Sequence, residues 1–119
     1  MKSREAIQQK MVIEWCEWNS NKFEELKYIF HCPNEAKRSP RLGAELKRLG
    51  MRPGVPDLLL LAPKGEFLGL AIEMKYGKNK CTREQIKWLE WLHKQGYKCE
   101  VCWSSEEAIE VIKNYLGIK

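Results

Sequence analysis

Residues 54–75 read GVPDLLLLAPKGEFLGLAIEMK, and this stretch decides how the chain folds. Two apolar runs flank the turn-forming segment Pro-Lys-Gly-Glu at 63–66, a pattern that predicts a β-hairpin. If the turn centres near Gly65, Asp57 and Glu73 are each eight residues away from it. The two carboxylates are then expected to lie opposite one another on paired strands, within reach of one divalent ion.

The second strand of this hairpin carries a charged face and an apolar face. Strand side chains alternate, so Glu73 and Lys75 project to one side while Ile72 and Met74 project to the other. Hard divalent ions prefer oxygen ligands, and Asp57, Glu73 and the Met74 carbonyl are therefore the predicted ligands of Mg²⁺ or Mn²⁺. Lys75 would orient a water or stabilise developing charge. The simpler alternative is an ordinary Glu73–Lys75 ion pair, with Asp57 as a turn residue.

The composition predicts one intracellular domain. With 119 residues and 44% hydrophobic content, residues 1–119 form a single unit large enough for a core. No apolar stretch approaches the roughly 20 residues that cross a bilayer, and no signal core follows the N-terminus. We therefore expect a soluble cytoplasmic protein, without a membrane partner. Lys and Arg outnumber Asp and Glu by 21 to 16, which is compatible with a polyanionic partner.

The five cysteines do not predict a disulfide framework or a zinc site. An odd number scattered through predicted elements argues against paired cystines. Cys99 and Cys102 lie three residues apart in a predicted strand, so they point to opposite faces and cannot chelate one ion. We expect structural thiols.

Periodicity and capping signals predict the element order αβαββαβα, an α/β fold with a mixed sheet and helices on both faces. The elements are a helix from Ser3 to about Asn19, a strand at 26–32, a helix after Ser39-Pro40, the hairpin, a helix from Thr82 to Gly96, a strand at 97–103 and a helix after Ser104. Apolar stripes predict their buried faces: Ile7, Met11, Trp15 and Trp18, with Val12 on the flank; Leu42, Leu46 and Leu49; Ile86, Leu89 and Leu92, widened by Trp88 and Trp91; and Ala108, Ile109, Ile112 and Leu116.

Several charged residues outside the hairpin are candidates for the same site. Glu5 and Glu14 flank the predicted stripe of the first helix on opposite sides, and spacing alone does not choose between them. Two basic segments are candidates for contacts with a phosphate backbone, although charged loops are more often simply solvated. They contribute Lys37 and Arg38 before the second helix, and Lys78 and Lys80 after the hairpin.

Four motifs together resemble the virus-type replication-repair nuclease (VRR-NUC) family, a branch of the PD-(D/E)xK nuclease superfamily. They are Gly54-Val-Pro-Asp57, Ile72-Glu-Met-Lys75, Thr82-x-x-Gln85-x-x-Trp88-Leu89 and Gly96-Tyr97. The resemblance implies a restriction-endonuclease-like core and a divalent-metal-dependent DNA nuclease. Short stand-alone members are typically phage or bacterial proteins, resemble Holliday-junction resolvases of DNA repair and tend to act as homodimers.

The resemblance also implies roles for particular residues. Asp57 and Glu73 would be metal ligands, Lys75 the catalytic lysine and Gln85 a residue that supports the site. The Arg4-Glu5 start matches the family's first-helix acid better than Glu14 does. Pro33-Asn34-Glu35 is similar to a motif of some members, which would bring Asn34 or Glu35 to the metal or the DNA. These two residues are equally well interpreted as turn residues.

Three functions follow as hypotheses from these observations. The first is a Mg²⁺- or Mn²⁺-dependent DNA nuclease that prefers branched or flapped DNA and works as a homodimer. The second is a non-catalytic basic domain that binds DNA on a nuclease-like core, against which the intact Asp57, Glu73 and Lys75 argue. The third is a nuclease acting on RNA or on simple duplex ends, because phosphate contacts do not identify the nucleic acid.

Overall fold

A computed structural model of the protein describes residues 4–33 and 39–119. The element order αβαββαβα is confirmed, with one short 3₁₀ helix added. The helices are α1 (Arg4–Asn19), α2 (Pro40–Arg48), α3 (Arg83–Lys94) and α4 (Ser105–Leu116), the strands are β1 (Ile29–His31), β2 (Leu58–Leu60), β3 (Leu70–Met74) and β4 (Lys98–Cys102), and the 3₁₀ helix is Glu24–Tyr28. None of the described helices is long and apolar enough to span a membrane.

The four strands form one mixed sheet in the order β1-β2-β3-β4. The first three strands pair antiparallel, and α3 provides the crossover that makes β4 parallel to β3. Leu58 pairs with Ile72, so Asp57 and Glu73 are opposite one another one step further along the same register. Gly65 occupies the hairpin turn with φ of 57°. The predicted hairpin and mixed α/β sheet are confirmed.

Helices cover both faces of the sheet. On one face, Cys102 of β4 is buried in a cluster with Val12 of α1 and Ile112 of α4. On the other face, the Cys99 thiol lies 3.6 Å from the carbonyl oxygen of Leu89 in α3. The predicted opposite orientation of the two thiols is therefore confirmed, and all five cysteines are free.

The predicted buried stripe of α1 is wrong by about one residue. The residues that are buried are Val12 and Cys16, whereas Ile7, Met11 and Trp18 are exposed, Trp18 to 85%. The side-chain oxygen of Gln8, on the same face as Val12, accepts a hydrogen bond of 2.7 Å from the Ser105 N–H at the start of α4. The apolar periodicity favours the side of the helix with the two tryptophans, because glutamine is typical of a polar surface and a lone cysteine is a weak apolar signal. Of the predicted stripe, Trp15 is half-buried and packs against the core.

Two other elements differ from the sequence-based expectation. Residues 26–28 belong to the 3₁₀ helix, so the first strand is only the three residues of β1. The Ser39 hydroxyl caps α2 as predicted, by accepting from the Leu42 N–H at 3.1 Å. However, α2 buries no residue and Leu42 and Leu49 are exposed, so the predicted buried face of this helix is wrong. In α3, Leu92 is buried, but Ile86 and Trp91, both expected on the buried face, are exposed.

Candidate active site

Asp57, just before β2, forms hydrogen bonds with residues at the ends of both neighbouring strands, β1 and β3. Its carbonyl oxygen accepts the Cys32 N–H at 2.8 Å and lies 3.0 Å from Nδ1 of His31. A carbonyl oxygen can only accept, so His31 Nδ1 carries the proton of this hydrogen bond. The Asp57 carboxylate accepts the Met74 N–H through Oδ2 at 2.7 Å. The side chain is therefore fixed beside the end of β3.

Glu73 places a carboxylate in the interior, next to Asp57. Its side chain is only 2% exposed, and its Oε2 accepts from Nε2 of Gln85 at 3.0 Å and lies 3.5 Å from Nζ of Lys75. Its other oxygen, Oε1, is buried and accepts no hydrogen bond from the described residues. The Glu73 and Asp57 carboxyl groups can hydrogen-bond to each other only when one of them carries a proton. An unpartnered buried carboxylate oxygen is costly unless a proton or a cation satisfies it.

The electrostatics of this pair favour a bound positive charge. Burial raises the pKa of Glu73 from its ordinary 4.5 to about 8; the Asp57 charge acts in the same direction and Lys75 opposes it. Burial also raises the pKa of Asp57, although the hydrogen bond from the Met74 N–H works against that shift. Without a metal, the Asp57–Glu73 pair therefore favours holding one proton at neutral pH, because the pKa of each carboxyl is raised and that of Glu73 the more strongly.

The donor set fits a hard divalent cation of the Mg²⁺ or Mn²⁺ type. The Lys75 N–H donates to the Cys102 carbonyl of β4, whereas the Met74 N–H points away from β4 toward Asp57. The N–H and C=O of one strand residue point to the same side, so the Met74 carbonyl also faces the Asp57 side. Across residues 4–33 and 39–119, no cluster of three His, Cys, Asp or Glu side chains could hold a metal. An ion here needs the carbonyl and water as well as the two carboxylates.

Gln85 connects the start of α3 to Glu73. Its Oε1 accepts the Thr82 N–H at 2.8 Å, and its own N–H donates to the Thr82 hydroxyl at 3.2 Å, which completes a capping box. The side-chain nitrogen of Gln85, Nε2, donates to the Glu73 carboxylate. The helix cap therefore holds the amide in the orientation in which it can donate to the buried carboxylate.

Replacing Gln85 by methionine should lower metal-dependent activity about tenfold or more, because hydrogen bonds to metal-ligating groups are commonly worth that much. Thr82→Ala is the matched control, since it also removes one capping hydrogen bond but keeps the donor to Glu73. Both variants should lose about 1 kcal/mol of stability. Urea denaturation and initial rates measured on the same preparations separate the two effects. Equal activity losses in both variants would contradict a role for Gln85 beyond capping.

The structure distinguishes the two acids of the first helix. Oε2 of Glu5 accepts from the Asn79 side-chain amide at 2.7 Å, and its charge contributes to raising the pKa of Asp57. Glu14 is exposed and, nine residues later at about 100° per residue, lies on the opposite side of α1. The structure therefore brings Glu5, and not Glu14, to the edge of the candidate site.

Six other residues were predicted to contact the metal or the DNA, and the structure describes two of them. Lys78 and Lys80 are exposed in the loop that follows β3 and also carries Asn79. Asn34, Glu35, Lys37 and Arg38 lie outside the described residues.

Sequence reasoning missed three residues near the centre of the site. His31 contacts the Asp57 peptide, Asn79 holds Glu5, and the Cys81 thiol is close enough for Asp57, Glu73 and Lys75 to influence its pKa, which burial raises. His31 could have been found from its position at the end of a strand predicted to neighbour the hairpin. No sequence pattern pointed to Asn79 or Cys81, because both are placed by a loop.

Comparisons with known proteins agree with this architecture. The family model described as VRR-NUC domain matches residues 2–106. A solved structure described as a VRR_NUC domain protein superimposes with a TM-score of 0.79 at 31% identity, covering 99% of this chain and 92% of the other. The comparison with curated proteins found no significant match. The chain therefore belongs to the VRR-NUC family of nuclease-type domains.

Proposed function

We propose that this protein hydrolyses phosphodiester bonds in DNA with the help of Mg²⁺ or Mn²⁺. The observation that carries the proposal is the unpartnered Oε1 of Glu73, buried beside Asp57 and Lys75. A purely structural ion pair does not require a second, half-buried carboxylate beside the buried one, nor a buried carboxylate oxygen that accepts no hydrogen bond. Burying such charges costs more than their mutual attraction usually returns, so a stable fold alone gives no reason to keep them.

Each residue of the proposed site has a distinct role. Asp57, Glu73 and the Met74 carbonyl would hold the ion, which when bound polarises the phosphate and lowers the pKa of water. The Lys75 ammonium is 3.5 Å from Glu73 and only 6% exposed, so its charge is little screened by solvent. It orients the attacking water or stabilises the negative charge that develops on the phosphate oxygens. Gln85 keeps the Glu73 carboxylate in its position.

We further propose that the substrate is branched or flapped DNA and that the active form is a homodimer. A symmetric four-way junction needs two paired cuts, which a two-fold dimer supplies through two identical sites. The exposed Leu42 and Leu49 of α2 form an apolar surface that residues 4–33 and 39–119 leave uncovered. The 21 basic residues outnumber the 16 acidic ones, which is consistent with a polyanionic partner.

Cleavage of labelled linear, flapped, splayed and four-way DNA, with Mg²⁺, Mn²⁺ or EDTA, tests this function. Cutting should require the metal and should fall at least about 100-fold in Asp57→Ala and Lys75→Ala, because each removes a charge that acts on the transition state. Circular dichroism checks that both variants fold. Metal-independent binding without cutting would instead support the non-catalytic DNA-binding alternative, and an RNA arm and a blunt-duplex arm test the third hypothesis.

The same assay distinguishes the acids of α1. Glu5→Gln should slow metal-dependent cutting, because Glu5 is the α1 acid whose charge reaches Asp57. Glu14→Gln, which removes an exposed charge from the opposite side of the same helix, is the matched control and should cut at the wild-type rate. A slower Glu14→Gln with a normal Glu5→Gln would reverse the assignment.

A further inference from the structure

The surface of α3 carries an aromatic pair in which Trp88 is half-buried and Trp91 is exposed. Trp91 is 55% exposed, and its ring meets that of Trp88 edge to face at a centroid distance of 6.2 Å and an angle of 79°. Together with Lys87, the two rings line an open depression of about 360 Å³. We call these three residues the tryptophan shelf. A large exposed aromatic surface of this kind commonly marks an interaction site.

The shelf is bordered by positive charge. At about 100° per residue, Arg83, Lys87, Trp91 and Lys94 fall within roughly a quarter of the circumference of α3. Within the described parts of the chain, none of these three cations is in an ion pair. Glu90 borders the cations and Glu84 lies next to Trp91 on the helix, so the face keeps a net positive charge of one.

The shelf belongs to the same helix that supports the candidate active site. Gln85, which donates to Glu73, precedes Trp91 by six residues. That separation is a rise of about 9 Å along the helix axis. At about 100° per residue the two side chains also differ by about 120° around the helix. The shelf therefore lies on a different face of α3 from Gln85, less than two turns further along the same helix.

We propose that the tryptophan shelf binds an unpaired nucleotide of the DNA substrate, with the base stacked on Trp91 and its phosphate near Lys87. Exposed aromatic rings among cations are the usual platform for single-stranded nucleic acid, because every base has a flat face and every nucleotide a negative charge. The inference rests on the proposed DNA nuclease function and adds a substrate feature to it. Flaps and open junctions offer unpaired bases, whereas a closed duplex does not.

Fluorescence anisotropy of a fluorescein-labelled oligothymidine, titrated with the full chain in EDTA, tests the shelf without cleavage. Trp91→Ala should weaken single-strand binding about tenfold or more, and Trp91→Phe should restore most of it because a ring remains. The matched control is Trp18→Ala, which removes a tryptophan that is 85% exposed at the end of α1 and should bind as wild type. Lys87→Ala should reduce the salt dependence by about one phosphate contact.

Two results would overturn the shelf. One is single-strand affinity in Trp91→Ala equal to that of the wild type. The other is a Trp91→Ala protein that sediments with a lower mass than the wild type and binds oligothymidine equally well. That result would make the shelf a contact between two copies of the chain. If the wild type binds oligothymidine through Trp91 but does not cut DNA with any metal, the shelf stands and the nuclease proposal fails. The two proposals therefore fail separately.

Discussion

Glu73→Gln is expected to stabilise the metal-free protein at pH 8 while it removes metal-dependent cleavage. The pKa of Glu73 is raised from 4.5 to about 8. Between these values the folded state holds a proton that the unfolded state has released, so stability must fall as the pH rises. The full slope for one proton is about 1.4 kcal/mol per pH unit. A neutral glutamine has no such proton to lose, and we expect a gain on the order of 3 kcal/mol at pH 8.

Chemical denaturation in EDTA at pH 5, 6.5 and 8 measures this effect. The wild type should lose stability across the series, and the slope for Glu73→Gln should be smaller. Adding Mg²⁺ or Mn²⁺ should stabilise the wild type through binding to the folded state and leave the variant unchanged. Glu66→Gln, which neutralises an exposed acid in the hairpin turn, is the matched control. Parallel pH profiles for the wild type and Glu73→Gln would contradict the raised pKa.

Gly54→Ala is expected to destabilise the fold and to impair the candidate site at once. Gly54 has φ of 86°, in the left-handed region that L side chains avoid, and an added Cβ would lie 2.6 Å from the carbonyl carbon of Glu84. The strain and the overlap with backbone together should cost about 3 kcal/mol or more. Relief requires a displacement between the first turn of α3, which carries Gln85, and the loop that leads to Asp57.

Urea denaturation combined with initial rates at low temperature, where Gly54→Ala is still folded, tests this expectation. The rate per folded molecule should be reduced, because Gln85 or Asp57 has moved. Gly43→Ala is the control: Gly43 lies in α2 with no atom within 4 Å of an added Cβ. That change should be neutral or stabilising by about 0.5–1 kcal/mol, since alanine favours a helix. A Gly54→Ala protein as stable as the wild type would contradict the close packing of the loop on α3.

The centre of the candidate site was predictable because it is local. Asp57 and Glu73 follow from the hairpin register and Lys75 from strand alternation, whereas the capping pattern predicts only that Gln85 starts a helix, and its place in the site is implied by the family resemblance. The first three inferences need only the position of one turn and a period of two. The structure brings these four residues together, and the mixed sheet of the fold follows from the same signals.

The edge of the site was not predictable, because tertiary docking determines it. The stripe of α1 was misplaced since Gln8 and Cys16 face inward while Trp18 faces solvent. The choice between Glu5 and Glu14 depends on that rotation, which no local pattern reports. The contact of Glu5 with Asn79 joins residues 74 positions apart. The exposed leucines of α2 show the same limit, because an amphipathic pattern does not say whether the chain covers its own apolar face.

The contact between Glu5 and Asn79 has a consequence for the order in which the site assembles during folding. Asp57, Glu73 and Gln85 fall within one short stretch of chain, so the loops that close to bring them together are short and entropically inexpensive. Glu5 lies near the other end of the chain, in α1, and contacts Asn79. Its helix is joined to α4 by the hydrogen bond between Gln8 and Ser105. Contacts of long sequence separation generally form late. We therefore expect the carboxylates of Asp57 and Glu73 to meet first, and α1 to be the last element to dock against the candidate site.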